Sequence, residues 1–305
     1  MWRHFVAQVL AASCLWDMTR VLALLGLWIS GAYAQPYRRD EGSTPIRTLV
    51  TEPTRVLQLT ATAFFVHRPK TGGTSFTWLV ENGTLAPLKP CNKPLHTMWC
   101  HDQPCQVMLP DVIDGVGTCM ASAEGHPGQL MSGWLNVQAG VKLFTIVREP
   151  TAHILSAFAH SKAHSYPNLT LDAFLDKKER VERGNAQSPA QFERAFEHMT
   201  AGLRRMEWVG VTEFYGQSLC ALRSLLASKP MCSCEQSKRV PSGLRVTHNT
   251  HPEQQILTGS MRARIMKLRA WQIGSFEYAQ GLVHLRSILA RFNLTCLVAL
   301  ESVVH

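Results

Sequence analysis

The chain has 305 residues, of which 46% are hydrophobic, and carries a formal net charge of +9. This apolar fraction excludes a disordered chain, and the length suits a single α/β domain with a large core. A basic domain attracts anionic partners, but the sequence has no interleaved aromatic and basic motif and no zinc-finger spacing that would indicate nucleic acid.

The N-terminal segment, residues 1–34, predicts a signal peptide or a signal anchor. Its apolar stretches, Phe5–Trp16 and Val21–Ile29, are separated by charged residues, and neither alone reaches the roughly 20 residues of a spanning helix. Ala32-Tyr33-Ala34 resembles a signal-peptidase site. A signal peptide and a signal anchor would both place the following chain in the secretory lumen. A buried helix of a cytosolic protein is the alternative.

The rest of the chain divides into a polar stem over residues 35–54 and a folded domain over residues 55–305. Three N-glycosylation sequons begin at Asn82, Asn168 and Asn293. An even number of cysteines suits disulfide bonds in an oxidising compartment; the eight beyond residue 34 are Cys91, Cys100, Cys105, Cys119, Cys220, Cys232, Cys234 and Cys296. We expect the first four to pair among themselves, and the absence of a Cys-x-x-Cys pair disfavours zinc.

The first motif of the domain is a predicted strand, turn and helix. An apolar stretch from Val56 to Val66 predicts a strand that ends before Pro69, and a helical pattern begins at Phe76. The residues between are Lys70, Thr71, Gly72, Gly73, Thr74 and Ser75. The glycines allow positive φ and close backbone approach, and Thr74 or Ser75 can cap the helix. Free amides and the helix dipole favour a bound phosphate; an ordinary glycine-rich turn beside a surface lysine is the alternative.

Residues 83–119 are rich in proline and cysteine and predict a loop-rich insertion held by disulfides. The segment Glu124-Gly125-His126-Pro127-Gly128 follows it. His126, a residue type whose ordinary pKa near neutrality suits a general base, and Glu124 are the titratable side chains of this segment. His67 and Arg68, just before the first turn, are further candidates, although His67 also fits a satisfied residue at a strand end.

A second predicted strand and turn lie about 80 residues after the first. The apolar residues 141–147 predict a strand that ends at Arg148-Glu149-Pro150, where a helical pattern begins. Arginine presents a fork of donors to phosphate, and Ser156 lies two helical turns further on. This order predicts a second phosphate contact made by Arg148 and Ser156.

The later part of the chain is less specific. Residues 170–208 predict helices separated by a turn at 184–189, and residues 209–214 and 217–228 predict a short strand and a helix. A polar loop containing Arg245 and Thr247 precedes a helical pattern over residues 254–269. The loop is a candidate anion contact or an ordinary surface loop.

Taken in order, these segments resemble the sulfotransferases that use 3′-phosphoadenosine 5′-phosphosulfate (PAPS), most closely the Golgi carbohydrate enzymes of the heparan sulfate 2-O type. The resemblance covers roughly residues 56–300. It implies one α/β domain with a mainly parallel sheet and a P-loop-like turn. In such enzymes the residues matching Lys70–Ser75 bind the 5′-phosphosulfate, those matching Arg148 and Ser156 bind the 3′-phosphate, and a loop at the place of Arg245 and Thr247 closes over the cofactor.

The resemblance further implies that His126 is the base, with Glu124 as its rival because other sulfotransferase branches use a glutamate. It also implies that Lys70 neutralises the leaving phosphate and that no metal takes part. It implies a type II membrane protein of the Golgi lumen, held by its N-terminal segment unless that is cleaved, with an anionic glycan or glycoprotein as acceptor. His153 departs from the pattern, because relatives often have a second arginine there. The alternatives are a catalytically silent glycan-binding relative and a nucleotide kinase. A kinase is disfavoured because Lys70 precedes both glycines, whereas a P-loop lysine follows the last one.

Overall fold

The computed structural model describes residues 57–91, 98–99, 104–109, 119–125, 127–133, 135–184, 188–233 and 257–294. The proposed N-terminal segment and stem lie outside these ranges. Within them the strands are β1 (Leu57–Thr60), β2 (Ala63–His67), β3 (Lys89–Pro90), β4 (Met98–Trp99), β5 (Cys105–Met108), β6 (Cys119–Glu124), β7 (Leu135–Val137), β8 (Lys142–Val147) and β9 (Trp208–Val211). The helices are α1 (Gly73–Glu81), α2 (Pro150–His164), α3 (Leu171–Gly184), α4 (Pro189–Arg204), α5 (Tyr215–Ala227), α6 (Gly259–Lys267) and α7 (Arg269–Arg291).

The central sheet is parallel and has the strand order β3-β6-β2-β8-β9, with β4 also pairing β6. All residues of β2 and β9 are buried, as are all but the first of β8. Strands buried on both faces are typical of a parallel sheet covered by helices. The predicted α/β fold with a mainly parallel sheet is therefore confirmed.

The apolar stretch that the sequence assigns to one strand forms two. β1 pairs with β5 in a smaller parallel sheet of order β1-β5-β7, whereas β2 enters the central sheet. Thr62 lies between them and donates hydrogen bonds from both its amide and its hydroxyl to the Cys119 carbonyl, at 3.1 and 3.0 Å. This contact with β6 moves the chain from one sheet to the other.

Other predicted elements need smaller corrections. The strand predicted over residues 209–214 ends at Val211, because residues 212–214 form a turn of 3₁₀-helix. The helical pattern predicted over residues 254–269 is interrupted at Leu268, which has an extended ψ of 138° and separates α6 from α7. The helices predicted within residues 170–208 are confirmed as α3 and α4.

Disulfide bonds join Cys91 to Cys119 and Cys220 to Cys232, and Cys105 is also disulfide-bonded. The first bond confirms the expected pairing within the insertion for two of its four cysteines. The insertion is more regular than predicted, because it contributes β3, β4 and β5. Cys100, Cys234 and Cys296 lie outside the described residues.

Two helices are important for the site. α1 packs on the sheet through Phe76, whose ring lies 4.5 Å from that of Phe65 and 5.4 Å from that of Trp208 between centroids. α7 crosses the sheet so closely at Gly281 that a Cβ there would lie 2.5 Å from Val147 Cγ2. Among the helices of the described ranges, none has the length and apolarity needed to cross a membrane.

Candidate functional site

The carboxyl ends of four neighbouring strands bring the candidate residues to one edge of the sheet. Strand register places His67 of β2 beside Glu124 of β6, and Val147 of β8 beside Val211 of β9. Since β2 and β8 are also adjacent, the two predicted phosphate turns begin side by side. Open parallel sheets bind ligands at this edge.

The first turn, residues 68–72, has an unusual backbone. Lys70 and Gly72 both have left-handed φ values, 65° and 87°. Gly72 is the N-cap of α1 and makes no side-chain cap. The expectation that Thr74 or Ser75 caps the helix is wrong, because the left-handed Gly72 starts α1 earlier and places both hydroxyl residues within its first turn.

Gly73 has a different role from the one that the sequence predicts. It is already helical and needs no positive φ, but a Cβ at this position would overlap the His67 ring. Glycine is therefore required here for close packing, whereas Gly72 confirms the predicted positive φ. The first turn of α1 lies directly against a buried imidazole.

Each of five successive carbonyl groups in this turn has a hydrogen-bond donor. The pairs are Thr71 Oγ1 with Arg68 O at 2.8 Å, His153 Nε2 with Pro69 O at 2.9 Å, Arg148 Nη1 with Lys70 O at 3.0 Å, Thr212 Oγ1 with Thr71 O at 2.6 Å, and Phe76 N with Gly72 O at 3.2 Å. By contrast, within the described part of the chain no acceptor meets the amides of Gly73, Thr74 and Ser75. A turn with satisfied carbonyls and open helix amides is suited to an anion.

The two joined turns carry two cations, Lys70 and Arg148. Lys70 is half-buried, and burial lowers its pKa while the nearby Glu124 carboxylate opposes that change. Arg148 follows β8, and its side chain is 28% exposed, with Nε 3.7 Å from Glu213 Oε1. Because Arg148 Nη1 also binds the Lys70 carbonyl, the two predicted phosphate turns are joined directly.

The N-terminus of α2 differs from that of α1. The Glu149 carboxylate accepts hydrogen bonds from Thr151 N at 3.0 Å and Ala152 N at 2.6 Å. Because the Glu149 carboxylate occupies these helix amides, the second turn can bind an anion through the Arg148 side chain and not through its backbone. Ser156 is half-buried, one helical turn beyond His153 on α2.

Two histidines near the first turn have strongly lowered pKa values. Burial lowers the pKa of His67 to about 4, with a smaller contribution from the Lys70 charge. Burial, followed by the Arg68 charge, lowers the pKa of His153 to about 3. The neutral His153 donates from Nε2 to Pro69 O, so this histidine, at the position where the resembled sulfotransferases often have an arginine, supports the turn. The strand-end reading of His67 agrees with its burial.

Three residues that support the turn, Thr212, Tyr215 and Glu277, were not found from the sequence. Buried Arg68 forms an ion pair with Glu277 of α7, which is fully buried. Thr212 binds Thr71 O, and the Tyr215 hydroxyl lies 3.5 Å from Gly72 O. No sequence signal identifies these three residues, because their contacts with the turn span more than 100 residues.

Three predicted site residues, His126, Arg245 and Thr247, lie outside the described residues. The rival base Glu124 ends β6, and the following residue, Gly125, donates its amide to His67 O at 3.0 Å. Among the residues that the structure describes, no three His, Cys, Asp or Glu side chains form a group able to hold a metal ion.

No family model and no curated protein matches the chain. Among solved structures it is similar to one described as the crystal structure of a sulfotransferase from Alicyclobacillus acidocaldarius, with 16% sequence identity and a TM-score of 0.40. The match covers 76% of this chain and 96% of that one. At this similarity the function has to be argued from the residues of the site.

Proposed function

We propose that the chain is a PAPS-dependent carbohydrate O-sulfotransferase, which transfers a sulfuryl group to a glycan hydroxyl. The observation that carries this proposal is the first turn, in which successive carbonyls are bound and the amides of Gly73–Ser75 have no acceptor among the described residues. Lys70 and Arg148 add positive charge to the two joined turns. The combination suits a ligand with two anionic groups.

The residues present fit the donor at both of its ends. The 5′-phosphosulfate would lie on the amides at the start of α1, where Gly73 is buried against His67 but Thr74 is exposed and Ser75 is half-buried. Lys70 would neutralise charge on the oxygen that leaves with the phosphate. Arg148 would bind the 3′-phosphate through donors that remain beyond its bond to Lys70 O, with the Ser156 hydroxyl as a second contact, and Arg245 and Thr247 would close over the nucleotide.

The proposed reaction is an in-line displacement at sulfur. The acceptor hydroxyl oxygen forms a bond to sulfur while the bond from sulfur to the 5′-phosphate oxygen breaks, and adenosine 3′,5′-bisphosphate leaves. The hydroxyl proton passes to His126, with Glu124 as the alternative base. As in phosphoryl transfer, positioning and charge stabilisation supply most of the catalysis.

The acceptor and compartment are proposed from more general features. Residues 1–35 contain Arg3, Arg20 and Asp17, a net charge of +1, so +8 of the total +9 belongs to the remaining chain and favours an anionic glycan or glycoprotein. The disulfides Cys91–Cys119 and Cys220–Cys232 suit an oxidising compartment. We therefore propose a Golgi luminal domain over residues 55–305, with residues 35–54 as a stem and 1–34 as an anchor or cleaved signal.

The test is to incubate the purified protein with labelled PAPS and a panel of glycans, and in parallel with labelled ATP. The proposal predicts sulfate transfer from PAPS to at least one glycan and no phosphate transfer from ATP. Phosphate transfer from ATP would instead support a kinase. Retention on heparin together with the absence of turnover on every acceptor would support a catalytically silent glycan-binding protein.

A further inference from the structure

We infer that Thr212 is a positioning residue that fixes the first turn relative to Arg148, and thereby sets the spacing between the two anion contacts. The inference rests on the proposed function, which requires both contacts to hold one ligand. Thr212 is the first residue after β9 and is half-buried. It belongs to neither of the two turns that the sequence identifies.

The Thr212 hydroxyl lies between the two turns. Its Oγ1 is 2.6 Å from Thr71 O and 3.0 Å from Val147 O. Thr71 directly follows Lys70, and Val147 directly precedes Arg148. A hydroxyl has one hydrogen to donate, so the two carbonyls share it, and both turns are held to the same oxygen atom.

Thr212 is itself held firmly by the core. The Ser218 hydroxyl accepts from Val211 N at 2.8 Å and lies 3.1 Å from Val211 O, so it fixes the residue just before Thr212. The carbonyl of Ser218 accepts from the indole nitrogen of Trp208 at 3.1 Å, and Trp208 is fully buried. A hydroxyl anchored in this way can serve as a fixed reference point for the turns.

The residues after Thr212 contact the same two turns. Glu213 accepts from Glu149 N at 3.1 Å and lies 3.7 Å from Arg148 Nε. On the other side, a Cβ at Gly72 would lie 3.5 Å from Tyr215 Cε2. The segment 212–215 therefore contacts both turns, and Thr212 is its member that binds both at once.

This geometry assigns Thr212 a positioning role. Its hydroxyl is committed to two backbone carbonyls, so it acts on a bound ligand through the first turn. Without it, Thr71 O loses its donor, and the amides of Gly73–Ser75 are held less firmly at their distance from Arg148. The expected effect is weaker binding of a ligand that needs both contacts.

The experiment compares Thr212→Val, which keeps the shape and removes the hydroxyl, with Thr212→Ser, which keeps the hydroxyl. Thr62→Val is the matched control, because Thr62 Oγ1 also donates to a backbone carbonyl, 3.0 Å away, but at the opposite end of β2. The measurements are affinity for adenosine 3′,5′-bisphosphate, amide hydrogen exchange of residues 71–75, and the thermal unfolding midpoint.

We expect Thr212→Val to weaken nucleotide binding by about 3- to 10-fold, the range for one lost hydrogen bond, and to accelerate exchange in residues 71–75. Thr212→Ser should restore both values. Thr62→Val should lower the unfolding midpoint alone. If the valine variant does not fold, Thr212→Ala replaces it, since it removes the hydroxyl and adds no atoms.

The outcomes separate this inference from the proposed function. If the wild type binds the nucleotide and Thr212→Val matches it in affinity and exchange, the positioning role is wrong and the proposed function stands. Equal behaviour of the valine and serine variants would also overturn it, because the hydroxyl would not be the cause. If the wild type binds no nucleotide but exchange in Thr212→Val still accelerates, the turn is positioned as inferred and the proposed function fails.

Discussion

The two β–α turns at the edge of the sheet present opposite solutions to the same local problem. Both follow a buried parallel strand and start a helix whose first amides need acceptors. At α2 the chain supplies its own acceptor, the Glu149 carboxylate. At α1 the N-cap residue, Gly72, has no side chain that could accept a hydrogen bond. The described residues provide no acceptor for the amides of Gly73, Thr74 and Ser75.

The difference shows which turn leaves backbone amides open to an anion. An uncapped helix start costs stability unless something else occupies it, and side-chain caps contribute about 0.5–2 kcal/mol. The first turn gives up that contribution, while its carbonyls are held by residues such as His153, Arg148 and Thr212. The second turn keeps its cap and can contribute only a side chain, Arg148.

The largest expected effect is at Lys70, the cation next to the open amides. We predict that Lys70→Ala abolishes sulfate transfer and weakens the binding of adenosine 3′,5′-bisphosphate, because the leaving phosphate loses its charge partner. The control is Lys89→Ala, which removes an exposed lysine from β3. Transfer at the wild-type rate by Lys70→Ala would exclude this lysine from the mechanism.

Neither turn contains the proposed base, so His126 variants should separate catalysis from donor binding. We predict that His126→Ala lowers turnover by about 10²–10⁴-fold and leaves nucleotide affinity nearly unchanged. The wild-type rate should rise with pH through an ionisation at about 6–7, the ordinary range for histidine.

Glu124→Gln is the control for this assignment, because it removes the competing carboxylate and keeps the side-chain shape. If Glu124→Gln is inactive while His126→Ala keeps most of its activity, the base is Glu124. Full activity of both variants would place the whole segment from Glu124 to Gly128 outside the active site.

The third prediction tests the side chain that the second turn contributes. Arg148→Ala should weaken the binding of PAPS by about 10- to 150-fold, since a charge-assisted hydrogen bond contributes about 1.5–3 kcal/mol. Most of the loss should involve the 3′-phosphate, with a smaller part from the lost bond to Lys70 O, so the preference of the wild type for PAPS over its 3′-dephosphorylated analogue should largely disappear in the variant. Equal losses for both compounds would contradict the assignment.

The fourth prediction uses the neutral imidazole beneath the first turn. The folded-state pKa of His67, about 4, lies below the ordinary 6.5, so the unfolded chain binds the extra proton and stability is lost as pH falls from about 6.5 towards 4. Between pH 7 and pH 5 the wild type should therefore lose roughly 1–2 kcal/mol more than His67→Gln, from the 1.36 kcal/mol per pKa unit. Denaturant unfolding at the two pH values measures this, and equal losses would contradict a neutral buried His67.

The sequence predicts the turns better than it predicts what holds them. Continuous apolar residues identify β8, because a strand buried on both faces needs them, and the glycines beside Lys70 identify the first turn. The start of α1 could not be predicted, because it depends on left-handed φ at Lys70 and Gly72 together. Thr212 could not be found either, because it lies 141 residues from its partner Thr71.

The division of the predicted first strand into β1 and β2 could not be predicted for the same reason. Residues on both sides of Thr62 are apolar, so the pattern contains no break, and the chain changes sheets through a hydrogen bond to Cys119 O. The requirement for glycine at position 73 likewise comes from the His67 ring and not from a turn type. Local composition thus predicts which elements form, whereas contacts distant in sequence decide their ends and their supports.

The smallest effect is expected at Glu149, and it tests the comparison most directly. If this carboxylate serves only as the cap of α2, Glu149→Ala should lower the free energy of unfolding by about 1 kcal/mol, and Glu149→Gln should lower it less, because its amide oxygen still accepts a hydrogen bond. Affinity for adenosine 3′,5′-bisphosphate should stay the same or rise slightly, since a negative charge near Arg148 is removed. Denaturant unfolding and nucleotide titration of both variants measure these changes.

A large loss of affinity at unchanged stability would mean that Glu149 contributes to the donor site, and the contrast between an open and an occupied helix terminus would then be wrong.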